Sequence, residues 1–302
     1  MKFTFLGSPW PEVVAEVEAA GHTYVSELDH AECLIYRGEP LPQLPPSIQW
    51  IQFVYSGIDR ILPLIRSTDV RWANASGVYA TPVAEAALAL TLSVMHQHKP
   101  ATLYGTFRAR GILDQHTQLL ADDQRTVAIL GAGGIGKRLI GMLEGFDVST
   151  VAVNRSGRPV EGATEVVTFD QIEAVWPRAD VLVNLLPLTA ETEGLVDKQV
   201  FEALPDHAVV VNVGRGPVVV TDDLVYALES GQIAGAGLDV TDPEPLPEDH
   251  KLWQLPNCTI TPHTATTGST GRKFIAPCII ENARAFEAGE TMPTEIDKRK
   301  GY

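Results

Sequence analysis

The stretch Thr126-Val127-Ala128-Ile129-Leu130-Gly131-Ala132-Gly133-Gly134-Ile135-Gly136-Lys137-Arg138-Leu139 decides the fold. Its first five residues form a short apolar run rich in β-branched side chains, which predicts a strand. Gly131, Gly133 and Gly136 then fit G-x-G-x-x-G, and the residues after them predict a helix to about Gly145. Such a turn means little alone. Between a strand and a helix it predicts a dinucleotide-binding βαβ unit. The first glycine permits the tight turn, the second lets a pyrophosphate approach the backbone, and the third lets the helix pack on the strand. The helix start, with the N–H groups of Gly134 and Ile135, then faces the phosphates with the positive end of its dipole.

Working outward, strands and helices alternate in both directions. Downstream, strands are expected at residues 149–153, 181–185, 209–213, 237–240 and 259–260. Upstream they are expected at 2–6, 33–36, 48–54 and 70–72, with a helix over 12–20 stopped by Gly21. Thr81 and Pro82 suit the cap and first position of a long helix reaching about His98. That helix is apolar nearly all round, so it is expected to be buried between domains or subunits and to support a symmetric homodimer. A last helix spans about 271–288. The pattern predicts an α/β protein of two Rossmann-like or flavodoxin-like parallel-sheet domains with a cleft between them. The substrate domain is expected at 1–97 plus 276–302, with the dinucleotide-binding domain, 98–275, inserted.

The chain has 302 residues, 23 basic and 38 acidic, for a formal charge of −15, and 45% of it is hydrophobic. That composition excludes disorder as the dominant state. The acidic balance argues against a nucleic-acid partner, because phosphate contacts need a basic surface. The longest apolar stretch, residues 86–95, is far short of the roughly 20 residues that span a membrane, so no membrane partner is expected. The N-terminus reads as a strand rather than a signal peptide. Cys33, Cys258 and Cys278 are odd in number and widely spaced, which suggests neither a disulfide framework nor a metal site and predicts a cytoplasmic protein.

The loop after the second strand of the dinucleotide unit speaks to the cofactor. It reads Asn154-Arg155-Ser156-Gly157-Arg158, with no acid to accept from a ribose 2′-hydroxyl. Arg155 can pair with a 2′-phosphate and Ser156 can donate to it, which favours NADP, with NAD as the alternative.

Three polar positions sit where strands end: Arg215 between two glycines, Glu244 between two prolines, and His263 after Pro262. Ligands of such sheets bind outside the carboxyl ends of the strands. The arginine fork matches a carboxylate. The ordered runs "VAILGAGGIGKRL", "LLPLTAETEGLV", "VVVNVGRGPVVVTDDLVYAL", "GLDVTDPEPLP" and "TPHTA" resemble the D-isomer-specific 2-hydroxyacid dehydrogenases, densely over residues 126–265. "VYSGID" and "TPVAEAAL" match more loosely. The resemblance implies that Arg215, Glu244 and His263 are catalytic. It places Asp239 on the nicotinamide side, and Leu186, Pro187, Thr189 and Val213 along the cofactor groove. It also implies that the backbone around Tyr55, Ser56 and Gly57, together with Arg215, receives the substrate carboxylate. No regulatory domain is expected. Residues 96–124 show no clear family pattern, and His96, His98, Tyr104 and His116 are read as structural or surface residues.

The expected function is reduction of a small 2-keto acid of the glyoxylate or hydroxypyruvate type to the D-2-hydroxy acid with NADPH. A cofactor of this kind supplies the hydride and the protein supplies orientation and the proton. The alternatives are a phosphoglycerate dehydrogenase-like NAD enzyme and a non-catalytic, dinucleotide-sensing protein of corepressor type.

Overall fold

The computed structural model describes residues 1–121 and 125–299. Residues 122–124, in the segment without a family pattern, and residues 300–302 of the expected tail lie outside the described residues. The chain divides into two compact units, Met1–Tyr79 with Thr266–Tyr302, and Ala80–Ala265.

The first unit carries β1 (Lys2–Phe5), β2 (Thr23–Tyr24), β3 (Cys33–Tyr36), β4 (Trp50–Phe53) and β5 (Arg71–Ala73). They pair in parallel in the order β2-β1-β3-β4-β5, a flavodoxin-like winding. Every residue of β3 and β4 is buried, as expected of central strands covered on both faces. The helices Pro11–Ala19 and Gly268–Glu287 pack against each other, and Phe286 stacks on Trp50 with ring centroids 5.9 Å apart. Beyond that helix the chain returns to the sheet: Asn74 N–H donates to Thr294 O at 3.0 Å and Ile296 N–H to Trp72 O at 2.8 Å.

The second unit carries β6 (Thr126–Leu130), β7 (Ser149–Asn154), β8 (Glu165–Thr168), β9 (Val181–Asn184), β10 (Val209–Asn212), β11 (Gly235–Leu238) and β12 (Cys258–Ile260). These seven pair in parallel in the order β12-β11-β10-β9-β6-β7-β8. The order reverses between β6 and β9, as in a Rossmann sheet, and apolar clusters cover both faces. The edge strands β2 and β8 are short and partly exposed, so they lack the apolar runs that mark the inner strands.

The unit boundaries differ from 97 and 275. The helix Ala80–Met95 packs on the helix Gly134–Leu143 and on β10 and β11, so it belongs to the second unit. Glycines in β11 explain the close fit: a Cβ at Gly235 would lie 2.5 Å from Val94 Cγ1, and one at Gly237 would lie 2.9 Å from Leu90 Cβ. Ala84, Ala87, Leu90, Val94 and Met95 of this helix are buried in the second unit's own core. Thr81 and Pro82 lie inside its first turn, and it stops at Met95, just before Gln97 turns left-handed at φ 56°. Residues 98–114 then form short helices, His98–Tyr104 and Arg110–Asp114, that the sequence pattern does not reveal. Among the described residues, no helix is long and apolar enough to cross a membrane, and no cluster of His, Cys, Asp or Glu could hold a metal ion.

Candidate active site

The turn Gly131–Gly136 lies where the sheet order reverses, at the carboxyl end of β6. Gly131 has φ +86°, and a Cβ there would sit 3.2 Å from the carbonyl of Leu185. A Cβ at Gly136 would sit 3.3 Å from Ile129 and Ala132, whereas Gly133 faces open space. Gly133 caps the helix Gly134–Leu143 with no side chain, and the N–H groups of Gly134, Ile135 and Gly136 take no acceptor among the described residues. An open cradle of unpartnered donors at a helix start fits the pyrophosphate of a dinucleotide.

At the end of β7, Asn154 shapes the next loop. Its Oδ1 accepts from the Ser156 N–H at 3.1 Å and its Nδ2 donates to Arg158 O at 2.9 Å. Arg158 Nε donates to Ser156 Oγ at 3.0 Å. Arg155 Nη2 reaches across to Glu191 Oε2 at 2.6 Å. Glu191 sits on the loop after β9, which also holds Leu186, Pro187 and Thr189. Thr192 braces that loop, donating from Oγ1 to Pro187 O at 2.6 Å and accepting from the Thr189 N–H at 2.9 Å.

Two buried amides join this loop to the next. Asn184 and Asn212 end β9 and β10 side by side in the ladder. Asn184 Oδ1 accepts from the Leu186 N–H at 3.1 Å, and Asn184 Nδ2 donates to Asn212 Oδ1 at 2.9 Å. Asn212 Oδ1 also accepts from the Gly214 N–H at 3.1 Å, and Asn212 Nδ2 donates to Arg215 O at 3.0 Å. Val213 is buried between them, its N–H donating to Asn184 O. Gly214 is needed because a Cβ there would lie 2.8 Å from Leu186 O.

Arg215 is extended and half-buried, with Nη1 donating to Gly214 O at 2.7 Å. A Cβ at the next residue, Gly216, would lie 1.9 Å from Thr241 O, so this turn touches the backbone of the loop that carries Glu244. The Asp242–Pro243 and Glu244–Pro245 bonds of that loop are cis. Glu244 Oε1 lies 2.9 Å from His263 Nδ1. His263 adopts a left-handed φ of 53°, and its N–H donates to Asp239 O at 2.8 Å and to Thr261 O at 2.9 Å. The Asp239 carboxylate, 3% exposed, accepts from Thr261 Oγ1 at 2.6 Å, from the Thr264 N–H at 2.8 Å and from the Ala265 N–H at 3.0 Å. Asp239 thus anchors both sides of the histidine loop. The structure brings Glu244 and His263 into contact and places Arg215, Asp239 and the cofactor loops on the carboxyl edge of one sheet.

In the first unit, the turn Tyr55–Gly57 follows β4. Asn74 Nδ2 donates to Ser56 O at 2.8 Å, Ser56 Oγ donates to Ala75 O at 2.7 Å, and the Tyr79 hydroxyl donates to Val54 O. The N–H groups of Ser56 and Gly57 take no acceptor among the described residues. Burial pushes the Tyr79 phenol well above its usual range.

Sequence reasoning does not single out Asn184, Asn212, Thr261 or Glu191. The asparagines do leave a signal: each closes an otherwise apolar strand, VLVN and VVVN, where a buried amide demands several partners.

Residues 88–265 match the model of the D-isomer specific 2-hydroxyacid dehydrogenase NAD binding domain. An uncharacterized protein in the proB 3′ region of Corynebacterium melassecola is 45% identical over 305 residues, covering 100% of both chains. Glyoxylate/hydroxypyruvate reductase A of Serratia proteamaculans is 39% identical over 63% of this chain and 59% of that protein. The D-isomer specific 2-hydroxyacid dehydrogenase of Xanthobacter autotrophicus Py2, crystallised with NADPH and MES, superposes with a TM-score of 0.82 at 25% identity, covering 100% of this chain and 99% of that one. With its Rossmann sheet, its glycine cradle and the Arg215, Glu244 and His263 set, the chain belongs to the D-isomer specific 2-hydroxyacid dehydrogenase family of NAD(P)-dependent oxidoreductases.

Proposed function

We propose that this enzyme reduces a small 2-keto acid, of the glyoxylate or hydroxypyruvate type, to its D-2-hydroxy acid with NADPH. The observation that carries the reading is the Glu244–His263 contact beside the Arg215 turn at one sheet edge. The reductase name of the Serratia relative supports the substrate class, and the NADPH bound by the Xanthobacter enzyme supports the cofactor. The loop Asn154–Arg158, with two guanidiniums, a serine and no acid, supports it from this chain's own residues.

A nicotinamide dinucleotide held at the Gly131–Gly136 cradle would supply the hydride for the keto carbon. The Arg215 guanidinium grips the substrate carboxylate and polarises the carbonyl oxygen where negative charge develops. His263, its Nδ1 held by Glu244, delivers a proton from Nε2 to that oxygen; in the reverse direction it takes the proton back. Asp239 acts through the loop it holds, fixing the histidine backbone. The unpartnered N–H groups of Ser56 and Gly57 offer the first unit's grip for an anion.

We also propose a cytoplasmic homodimer. Leu103, Tyr104, Phe107, Ile112 and Leu119 expose apolar side chains over a short segment, Phe107 fully, which is the kind of patch a second copy covers. The three cysteines are buried and unbridged, consistent with a reducing compartment. Light scattering tests the dimer.

The decisive assay is NADPH oxidation with glyoxylate and hydroxypyruvate, repeated with NADH. Turnover favouring NADPH supports the proposal. Tight NADPH binding without turnover would establish the sensing alternative, and a preference for NADH with phosphorylated acids would establish the phosphoglycerate type.

A further inference from the structure

Arg155 is offered to a 2′-phosphate by the loop after β7, yet its guanidinium already has an anion. Arg155 Nη2 donates to Glu191 Oε2 at 2.6 Å, across 36 residues of chain. Both side chains are largely exposed, 58% and 67%, so either can swing away at small cost. Their backbones are not loose. The Arg155 loop is tied by Asn154 and Ser156, and the Glu191 turn by Thr189 and Thr192.

We infer that Glu191 is a specificity-determining residue: an internal counter-ion that competes with the cofactor's 2′-phosphate for Arg155. This inference rests on the proposed use of Arg155 for NADPH. A 2′-phosphate must displace the Glu191 carboxylate and then sit near it as a like charge, so Glu191 weakens NADPH binding. A ribose that carries only a hydroxyl leaves the pair intact, so NADH binding is indifferent to it. Glu191 therefore narrows the gap between the two cofactors and lets NADH compete where a lone arginine would exclude it. Arg158 lies on the same loop but donates to Ser156 Oγ, which leaves Arg155 as the cation Glu191 controls.

The test measures dissociation constants of NADPH and NADH, by nucleotide fluorescence, for the full-length protein and for Glu191→Gln, Arg155→Gln and the double variant. Glu191→Gln is expected to tighten NADPH by about two- to five-fold, the scale of a released surface ion pair, and to leave NADH unchanged. The gain should shrink as salt is raised and vanish in the Arg155→Gln background. An unchanged or weaker NADPH affinity in Glu191→Gln, with Arg155→Gln still losing NADPH, would overturn the inference while leaving the NADPH reading intact. If Arg155→Gln leaves the NADPH to NADH ratio unaltered, the cofactor reading has failed and the inference falls with it. A gain that persists without Arg155 would show a general charge effect and also overturn it.

Discussion

His263 Nδ1 lies 2.9 Å from Glu244 Oε1, and the histidine that makes this contact has a left-handed backbone at φ 53°. The two facts belong together. Asp239 holds the loop on both sides of His263, and the resulting twist aims the ring at a carboxylate 19 residues earlier in the chain. Among non-glycine residues asparagine is one of the few that accept this conformation well. His263→Asn and His263→Ala should both lower kcat by about 10²–10⁴-fold while NADPH still binds. Alanine should in addition melt at a lower temperature, because its backbone strain costs about 1–2 kcal/mol. Steady-state kinetics and thermal melts of the two variants check this; a kcat unchanged in either removes the ring from proton transfer.

Arg215 offers a planar fork where lysine offers a point charge. Arg215→Lys keeps the charge but should raise KM and lower kcat together, with kcat/KM down by about 10²–10³-fold. A fall in melting temperature with kinetics intact would make Arg215 a structural residue.

Asn212 carries the amide bridge from the cofactor loop to the arginine turn. Asn212→Ala would strip the acceptor from Asn184 Nδ2 and from the Gly214 N–H, leaving both donors buried and unmatched. At about 1–3 kcal/mol for each stranded group, a loss of roughly 2–6 kcal/mol is expected by chemical denaturation. The kcat/KM of the folded enzyme should fall as well, since Arg215 O loses the same side chain.

In the first unit, Arg71 Nε donates to Glu295 Oε1 at 2.8 Å and ties the returning tail to β5. That guanidinium, helped by the Met292 N–H and opposed by burial, holds the Glu295 carboxyl below its ordinary range. A carboxyl lowered in the folded state adds stability above its unfolded value, and the gain is lost as pH falls through the folded value. Glu295→Gln should therefore cost about 1 kcal/mol near neutral pH, and the difference from wild type should close on acidification below the ordinary glutamate range. Denaturation curves across that pH range decide it; a gap that widens in acid contradicts the assignment.

Much of the second unit's sheet is legible in the sequence because its inner strands are covered on both faces and read as continuous apolar runs. The phosphate turn is legible because each glycine answers a steric demand: Gly131 against Leu185, Gly136 against Ile129. Other features follow from contacts distant in sequence. The helix Ala80–Met95 looks like a connector by composition, yet the missing side chains of Gly235 and Gly237, about 140 residues later, draw it into the second unit. β11 lies two residues before its expected position because glycines, not apolar side chains, begin it. Arg215, Glu244 and His263 stand out as polar residues at strand ends. The amides that hold them do not, because Asn184 and Asn212 are buried and their partners are mostly backbone groups that any sequence would provide.

The central claim is that these loops reduce a 2-keto acid. Its most direct test is NADPH oxidation by the wild-type protein with glyoxylate and hydroxypyruvate, run beside His263→Asn. Turnover in the wild type that nearly disappears in the variant, with NADPH affinity equal in both, is the result expected. Equal rates in the two proteins, or bound NADPH with no turnover in either, would contradict the account.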